Sequence, residues 1–367
     1  MLIDIIAGAR PNFIKISPLI AAIRKKQNEG INIQFRLIHT GQHYDKNMSD
    51  SFFEQLDIPN PDFNLGVGSG TQAVQTAGIM VGYEAILLKS PSNLCVVVGD
   101  VTSTMACAIS AKKLLIPVAH IEGGIRSGDM TMPEEVNRIV TDSITDIFFT
   151  TTTWAGDNLL SSGVSKESIH FVGNVMIDTL RKYESAFSKP SLWDIENLSK
   201  GNYFVLTLHR PANVDAAEKL KLTISEIVKG TNPNLVIFPV HPRTRKILEE
   251  LEISFESLKY SDPLSYLEFN YLVKNAKGVI TDSGGITEET TVMGVPCITL
   301  RDNTERPETC SIGTNELIGT DPSAISPALK KLQDGNWKHG GIPEKWDGKA
   351  AERIVDKLIQ HFDLRLF

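Results

Sequence analysis

Four cysteines in 367 residues, at positions 95, 107, 297 and 310, give little material for a disulfide framework. No two stand at C-x-x-C spacing, and Cys95 and Cys297 lie inside apolar runs. Buried reduced thiols are therefore favoured over disulfides or metal ligands. Excess positive charge is also missing. The chain has 37 Lys and Arg against 44 Asp and Glu, a formal net charge of −7. That balance argues against nucleic acid or an anionic membrane as the main partner, while leaving room for a local basic pocket that takes a phosphorylated small molecule. No apolar stretch reaches the roughly 20 residues of a membrane span. The opening MLIDIIAGARPNF is too short for the apolar core of a signal peptide and carries Asp4 in its middle. A cytoplasmic protein without a membrane partner is expected. There is no H-E-x-x-H or other metal spacing and no G-x-S-x-G elbow. The glycine-rich GVGSGT at 66–71 does not follow a strand, so it reads as a connection and no nicotinamide cofactor is expected. Solenoid-length repeats and low-complexity tracts are absent.

What remains is a soluble globular composition, 41% apolar and 22% charged, on a chain long enough for two domains. Short apolar runs alternate with helix-length amphipathic segments. The strand candidates are LIDIIAG, QFRLIHT, LCVVVGD, PVAHIE, DIFFTT and IHFVG, then YFVLTLH, LVIFPVH, GVITDS and PCITL. Segments such as FIKISPLIAAIRKKQ and TQAVQTAGIMVGYEAILLK show helical spacing. This alternation predicts an α/β protein with parallel sheets. It restarts after VGNVMIDTL. The expected domains are 1–172 and 173–345, with a terminal helix within 346–367 crossing back to the first.

Open parallel sheets bind ligands beyond the carboxyl ends of their strands, and polar residues crowd those positions here. Arg10 and Lys15 follow the first strand, Asp100 the third and Glu122 the fourth. His209, His241 and the turn Asp282-Ser283-Gly284-Gly285 end later strands. That turn opens a helix, so its glycines let a phosphate approach unpaired N–H groups. Glu289, one turn in, is placed to accept from ribose hydroxyls. Asp282 and Ser283 acting only as helix caps is the competing reading. The nearby Arg301 and Arg306 favour diphosphate binding. Lone histidines at strand ends are more often structural, but His209 and His241, each near an arginine, point towards phosphate contact. Asp100, Glu122 and Glu134 are the acid/base candidates. Against this, Asp100 and Glu122 can cap turns. Glu134 and Glu135 suit a helix start after Pro133, and Glu134 with Arg138 stands at i,i+4 spacing.

GARPNFIKISPL, TGQHYD, GDVTST, HIEGGIRSGDMTMPEEVNR, GNVMIDTL, PVHPRT, TDSGGITEE and RDNTERPE occur in this order from about residue 3 to 320. Together they resemble the non-hydrolysing UDP-N-acetylglucosamine 2-epimerase family. The resemblance implies a GT-B-like fold, two Rossmann-type domains facing a cleft, acting as a homodimer on a UDP-sugar without metal or nicotinamide. It implies that Arg10, Lys15, Asp100, Glu122 and Glu134 surround the sugar, and that Ser283, Gly284, Gly285 and Glu289 bind UDP. Phe269 would lie by the uracil, and His209 and Arg306 by the phosphates. Elimination of UDP to 2-acetamidoglucal and its re-addition is the implied chemistry. Asp45 and Ser69 stand where allosterically regulated bacterial members carry Gln and Arg, which argues against activation by a second substrate molecule. Ala212 in HRPAN and the short MTMPEE also occur in relatives acting on UDP-2,3-diacetamido-glucuronate. A glycosyltransferase using a UDP-sugar and a hydrolysing variant are the other enzymatic alternatives, and a nucleotide-sugar sensor without turnover is the non-enzymatic one.

Overall fold

The computed structural model of the chain describes residues 1–41, 53–240 and 242–363. His241 and Asp45 lie outside the described residues. The chain divides into two units, Met1–Lys182 with Glu344–Phe367, and Tyr183–Pro343.

In unit 1 the main elements are β1 Leu2–Ala7, α1 Arg10–Asn28, β2 Gln34–His39, β3 Phe63–Asn64, α2 Gln72–Lys89, β4 Leu94–Val98 and α3 Thr102–Lys113. They continue as β5 Val118–Ile121, α4 Pro133–Ile144, β6 Ile147–Thr150, α5 Thr153–Ser161, β7 Ile169–Phe171 and α6 Val175–Tyr183. Its sheet has the order β3-β2-β1-β4-β5-β6-β7, and every pairing is parallel. Unit 2 carries β8 Tyr203–Thr207, α7 Ala217–Thr231, β9 Leu235–Pro239, α8 Pro242–Glu250, β10 Leu258–Ser261, α9 Tyr266–Asn275, β11 Gly278–Thr281, α10 Gly284–Met293, β12 Cys297–Thr299, β13 Asn315–Leu317 and α11 Ile325–Gln333. Its parallel order is β10-β9-β8-β11-β12-β13. Each unit is thus a Rossmann-type sheet, and two such units place the chain in the GT-B-like class. In each, strand order reverses at the first strand, between β1 and β4 and between β8 and β11. That switch point is where an open sheet leaves a crevice for a ligand.

All ten predicted strands are present. The three that sequence periodicity did not reveal, β3, β10 and β13, are sheet edges. An interior strand is covered on both faces and reads as a continuous apolar run; all five residues of β4, LCVVV, are buried. These three edge strands carry no such run, and both residues of β3 are exposed.

Asp4 interrupts the apolar run of β1. It is 0% exposed, and it sits directly opposite Arg36 in the β1–β2 register. Arg36 Nε and Nη2 donate to the two carboxylate oxygens at 2.7 and 2.9 Å, and the Tyr83 hydroxyl donates to Oδ2 at 2.9 Å. The two-pronged pairing fixes which residues face each other between the two strands.

The last helix, α12 (Ala350–His361), belongs to unit 1. Lys25 and Lys26 of α1 pair with Glu352 and Asp356 at 2.7 and 3.0 Å. Trp346 is buried, and its indole N–H donates to the Thr151 carbonyl at 3.1 Å. The start of α12 has no cap from its own side chains. Asp178 of α6 supplies one, accepting from Ala350 N–H at 3.0 Å and Ala351 N–H at 2.6 Å. Burial pushes this carboxyl up to about 6 against those two donors. Asp178→Ala should cost about 1–3 kcal/mol, because two buried donors lose their acceptor. It should also speed amide exchange over the first turn of α12. Unchanged exchange there would show that the cap is dispensable.

Among the described residues no helix is long and apolar enough to cross a membrane. All four cysteines are free, three of them buried. Burial pushes the Cys297 thiol up to about 12.

Candidate active site

At the carboxyl end of the unit 1 sheet, β1 and β4 are tied together by one asparagine. Asn12 Oδ1 accepts from Gly8 and Ala9 N–H, both at 3.1 Å, and its Nδ2 donates to the Val98 carbonyl at 2.9 Å. Arg10 occupies the first position of α1. One turn on, Lys15 Nζ reaches Glu122 Oε2 at 2.8 Å, although the two residues are 107 positions apart. Both are buried, 8% and 3% exposed. Glu122 sits just past β5 with φ +73°, a left-handed conformation that a non-glycine residue rarely adopts. Such strain persists only where the surroundings over-determine it, and it is frequent at active sites. Gly99 adjoins this pair at φ +70°, and a Cβ built on it would lie 3.1 Å from Lys15 Nζ. Glycine at 99 therefore gives the ammonium its space.

Asp100 follows Gly99 and is held by Arg138 of α4, whose Nη2 and Nε donate to Oδ2 at 2.6 and 3.0 Å. Arg138 also grips Glu135 at 2.5 Å. Glu135 in turn accepts from the N–H groups of Ser127 and Gly128 at 2.9 and 3.0 Å. Burial would raise the Glu135 carboxyl, but these donors and the Arg138 charge hold it below the usual carboxylate range. The i,i+4 spacing of Glu134 and Arg138 is therefore not used as a pair. The arginine turns to Asp100 and to Glu135, and the Glu134 side chain makes no hydrogen bond or ion pair to any described residue. Glu134 instead lines a hollow of about 280 Å³ with Ala9, Thr102 and Asn137. Behind Glu122 lies a further buried pair, His120 and Asp142, at 2.7 Å. Sequence periodicity places His120 on a strand but offers nothing to connect it with a residue 22 positions on.

In unit 2, the switch-point turn is built on Asp282, which is 0% exposed. Its carboxylate accepts from Arg210 N–H at 2.9 Å, from Asn213 Nδ2 at 3.1 Å and from His209 N–H at 3.2 and 3.1 Å, and it lies 2.7 Å from His209 Nδ1. Burial opposes its ionised form, but His209 and these donors outweigh that and bring the carboxyl down. Asp282 therefore anchors the His209–Arg210 strand end rather than capping α10. Ser283 is the N-cap residue but makes no side-chain cap bond. The Ser283 hydroxyl therefore does not occupy the helix end, and a helix N-terminus suits an anion.

Beside that helix end, a Cβ on Gly284 would meet Glu305 Oε1 at 2.6 Å. Arg301 is 4% exposed and donates through Nη2 to Glu305 at 2.5 Å, while its buried Nη1 has no hydrogen-bond partner. Burial works to raise Glu305, yet Arg301 and then Arg306 bring it down to about 2. Arg306 pairs with Glu288. Glu289, 4% exposed, accepts from the Tyr266 hydroxyl at 2.9 Å, and burial pushes its carboxyl up to about 7. Phe269 on α9 is half-buried against the cluster that includes Leu272, Val273 and Ile286. His209 is exposed on its ring.

The structure thus places Arg10, Lys15, Asp100, Glu122 and Glu134 at one end of the unit 1 sheet. It places His209, Phe269, Ser283, Gly284, Gly285, Glu289 and Arg306 at the corresponding end of unit 2. Glu135, Asp142 and Glu305 escaped sequence reasoning as site residues, and Asp282 entered it only as part of the turn. Each is a buried carboxylate whose partners are chosen by the tertiary fold. Among the described residues, no group of three or more His, Cys, Asp or Glu is arranged to hold a metal ion.

The sequence signature of the UDP-N-acetylglucosamine 2-epimerase family matches residues 25–359. The UDP-N-acetylglucosamine 2-epimerase of Methanocaldococcus jannaschii is 42% identical over 367 residues, covering 97% of this chain and 98% of that protein. The UDP-2,3-diacetamido-2,3-dideoxy-D-glucuronate 2-epimerase of Pseudomonas aeruginosa is 39% identical, covering 96% and 98%. Among solved structures, the M. jannaschii enzyme in complex with UDP-GlcNAc and UDP superposes with a TM-score of 0.87 over 98% of this chain and 100% of that one. The Neisseria meningitidis UDP-GlcNAc 2-epimerase bound to UDP-GlcNAc gives 0.89 at 28% identity, covering 98% and 100%.

Proposed function

The chain belongs to the UDP-N-acetylglucosamine 2-epimerase family, and we propose that it interconverts UDP-N-acetylglucosamine and UDP-N-acetylmannosamine, supplying a surface-polysaccharide precursor. The C2 proton of the sugar is not adjacent to a carbonyl, so direct deprotonation would be slow. Breaking the C1–O bond to UDP while C2 loses its proton leaves 2-acetamidoglucal. UDP then adds back at C1 as C2 takes a proton on its other face. Such a cycle needs acid and base groups on two faces, with cations for the departing diphosphate.

The observation that carries this reading is the group Asp100, Glu122 and Glu134 on one sheet end. Lys15 is bonded to Glu122 out of water, and Arg138 is bonded to Asp100. We assign the proton transfers to these three carboxylates, Lys15 and His209. The nucleotide is assigned to unit 2, with the diphosphate at Ser283, Gly284 and Gly285 and beside Arg306. The ribose goes on Glu289 and the uracil by Phe269, with Arg10 and His241 completing the phosphate contacts.

The test is incubation with UDP-N-acetylglucosamine in D2O, followed by NMR. Deuterium at C2 with the UDP linkage intact is expected. Free UDP with free sugar would mean hydrolysis, and no exchange would overturn the proposal for this sugar. The P. aeruginosa relative and the HRPAN motif favour UDP-2,3-diacetamido-glucuronate as the second substrate to offer.

Glu289 makes UDP affinity depend on pH. Ribose hydroxyls donate to a carboxylate, so binding favours the ionised form of a group that burial holds at about 7. Wild-type affinity should be full above pH 7 and fall by up to tenfold per pH unit below it. Glu289→Gln should lack that component, which calorimetry from pH 5.5 to 8.5 would separate from the ionisation of UDP itself. In the free protein the sign is opposite. A carboxyl raised from 4.5 to about 7 contributes stability below 4.5 that is lost as pH rises through 7.

A homodimer is the proposed assembly. Val74, Val81 and Leu88 of α2 are 64%, 68% and 69% exposed and recur every seven residues, an apolar stripe suited to pairing with a second copy. Light scattering that shows a monomer would end this proposal. The four free thiols support a reducing, cytoplasmic location.

A further inference from the structure

His120 is wholly buried on β5 and has no part in the chemistry assigned above. Its Nε2 lies 2.8 Å from the Gly99 carbonyl oxygen and its Nδ1 2.7 Å from Asp142 Oδ1. A carbonyl oxygen only accepts, so Nε2 carries a hydrogen. Asp142 Oδ2 already accepts from Gly124 N–H at 3.0 Å and from Arg126 Nη1 at 2.6 Å. Burial works against its ionised form, but His120 and Arg126 hold the carboxyl below the usual range. The Nδ1–Oδ1 bond ties the other side of the ring to that carboxyl.

What the two bonds hold is more telling. Gly99 N–H donates to the Ile121 carbonyl at 3.0 Å, and the Gly99 carbonyl takes the proton of Nε2. Both ends of the residue preceding Asp100 are therefore tied to β5. On the other side, Asp142 holds the Gly124 N–H and so the turn that begins at Glu122. One rigid ring spans the two turns that carry Asp100 and Glu122. The other charges around this arrangement are Arg126, paired with Asp142, and the Lys15–Glu122 pair beyond Gly99.

We infer that His120 is a positioning residue for the proposed epimerisation: a buried ring, bonded at both nitrogens, that sets the spacing of Asp100 and Glu122. It rests on the functional reading above only for the identity of the reaction.

Two measurements test it. The full chain, labelled with 15N in histidine alone, should show Nε2 of His120 bearing a hydrogen bonded to the Gly99 carbonyl, the resonance being assigned by its loss in His120→Gln. An Nε2 without a hydrogen would overturn the inference. His120→Gln presents one donor end and one acceptor end, so one of its two neighbours loses its bond. The turnover number for C2 exchange should fall about 100-fold, as expected for a sub-ångström to 1 Å misplacement. KM and the UDP dissociation constant should stay within about threefold of wild type. A merely structural His120 would lower Tm and leave turnover per folded chain within about twofold, which would also overturn the inference. If His120→Gln does not fold, Asp142→Asn serves: turnover should fall while KM stays within about threefold of wild type, and unchanged turnover would overturn the inference. Failure of wild type to exchange C2 would sink the proposed function, and the Nε2 resonance would still decide whether His120 holds the Gly99 carbonyl.

Discussion

Glu122→Gln is expected to lower turnover about 1,000-fold, some 4 kcal/mol of barrier, while UDP binding stays within about threefold. Glutamine has the shape of glutamate and still offers an oxygen to Lys15 Nζ, now 2.8 Å from Oε2. It cannot take up or release a proton in the reaction. The loss should therefore fall on the chemical step. UDP is assigned to unit 2 and should not register the change. Single-turnover measurement of C2 deuterium incorporation, alongside calorimetric titration with UDP, separates the two. Parallel loss of turnover and UDP affinity would make Glu122 a structural residue and remove it from the acid/base set. The strained backbone at φ +73° strengthens the expectation, since a glycine there would relieve the strain and none is present.

The second large effect concerns the fold. Asp4→Ala leaves the Arg36 guanidinium, 9% exposed, without its carboxylate in the interior of unit 1. Breaking one half of a buried ion pair costs about 3–5 kcal/mol, and the Tyr83 hydroxyl loses its acceptor as well. Against a total stability of about 5–15 kcal/mol for a typical domain, the cost is a large share. Urea unfolding should show a lowered midpoint with an unchanged slope. Replacing both partners by apolar residues of similar volume, Asp4→Leu with Arg36→Met, should recover most of the loss, because the desolvation cost of two charges disappears with the pair. A single variant as stable as wild type would mean that the pair contributes nothing beyond the register it marks.

These two carboxylates also show how far the sequence could be read. Asp4 stands in the middle of an apolar run, where the run alone identifies a strand but not why an acid interrupts it. Its partner is 32 residues away on the neighbouring strand. Glu122 stands at the end of a run, so its place at the ligand edge of a sheet follows from strand order alone. Its bond to Lys15, 107 residues earlier, does not. Arg138 is the instructive failure. Helical spacing offers it Glu134, yet the fold gives it Glu135 and Asp100.

The alternation of interior strands and helices along the chain, the polar residues at the strand ends and the family motifs were determined by the sequence itself, because each depends on neighbours within a few residues: apolar periodicity, turn glycines, helix starts. The tertiary structure alone decided which charge meets which, from Lys15 with Glu122 to His120 with Asp142 and Asp282 with the His209–Arg210 turn. A buried charge must find a partner wherever the chain brings one near, and that proximity is set by the packing of whole strands and helices rather than by separation along the chain.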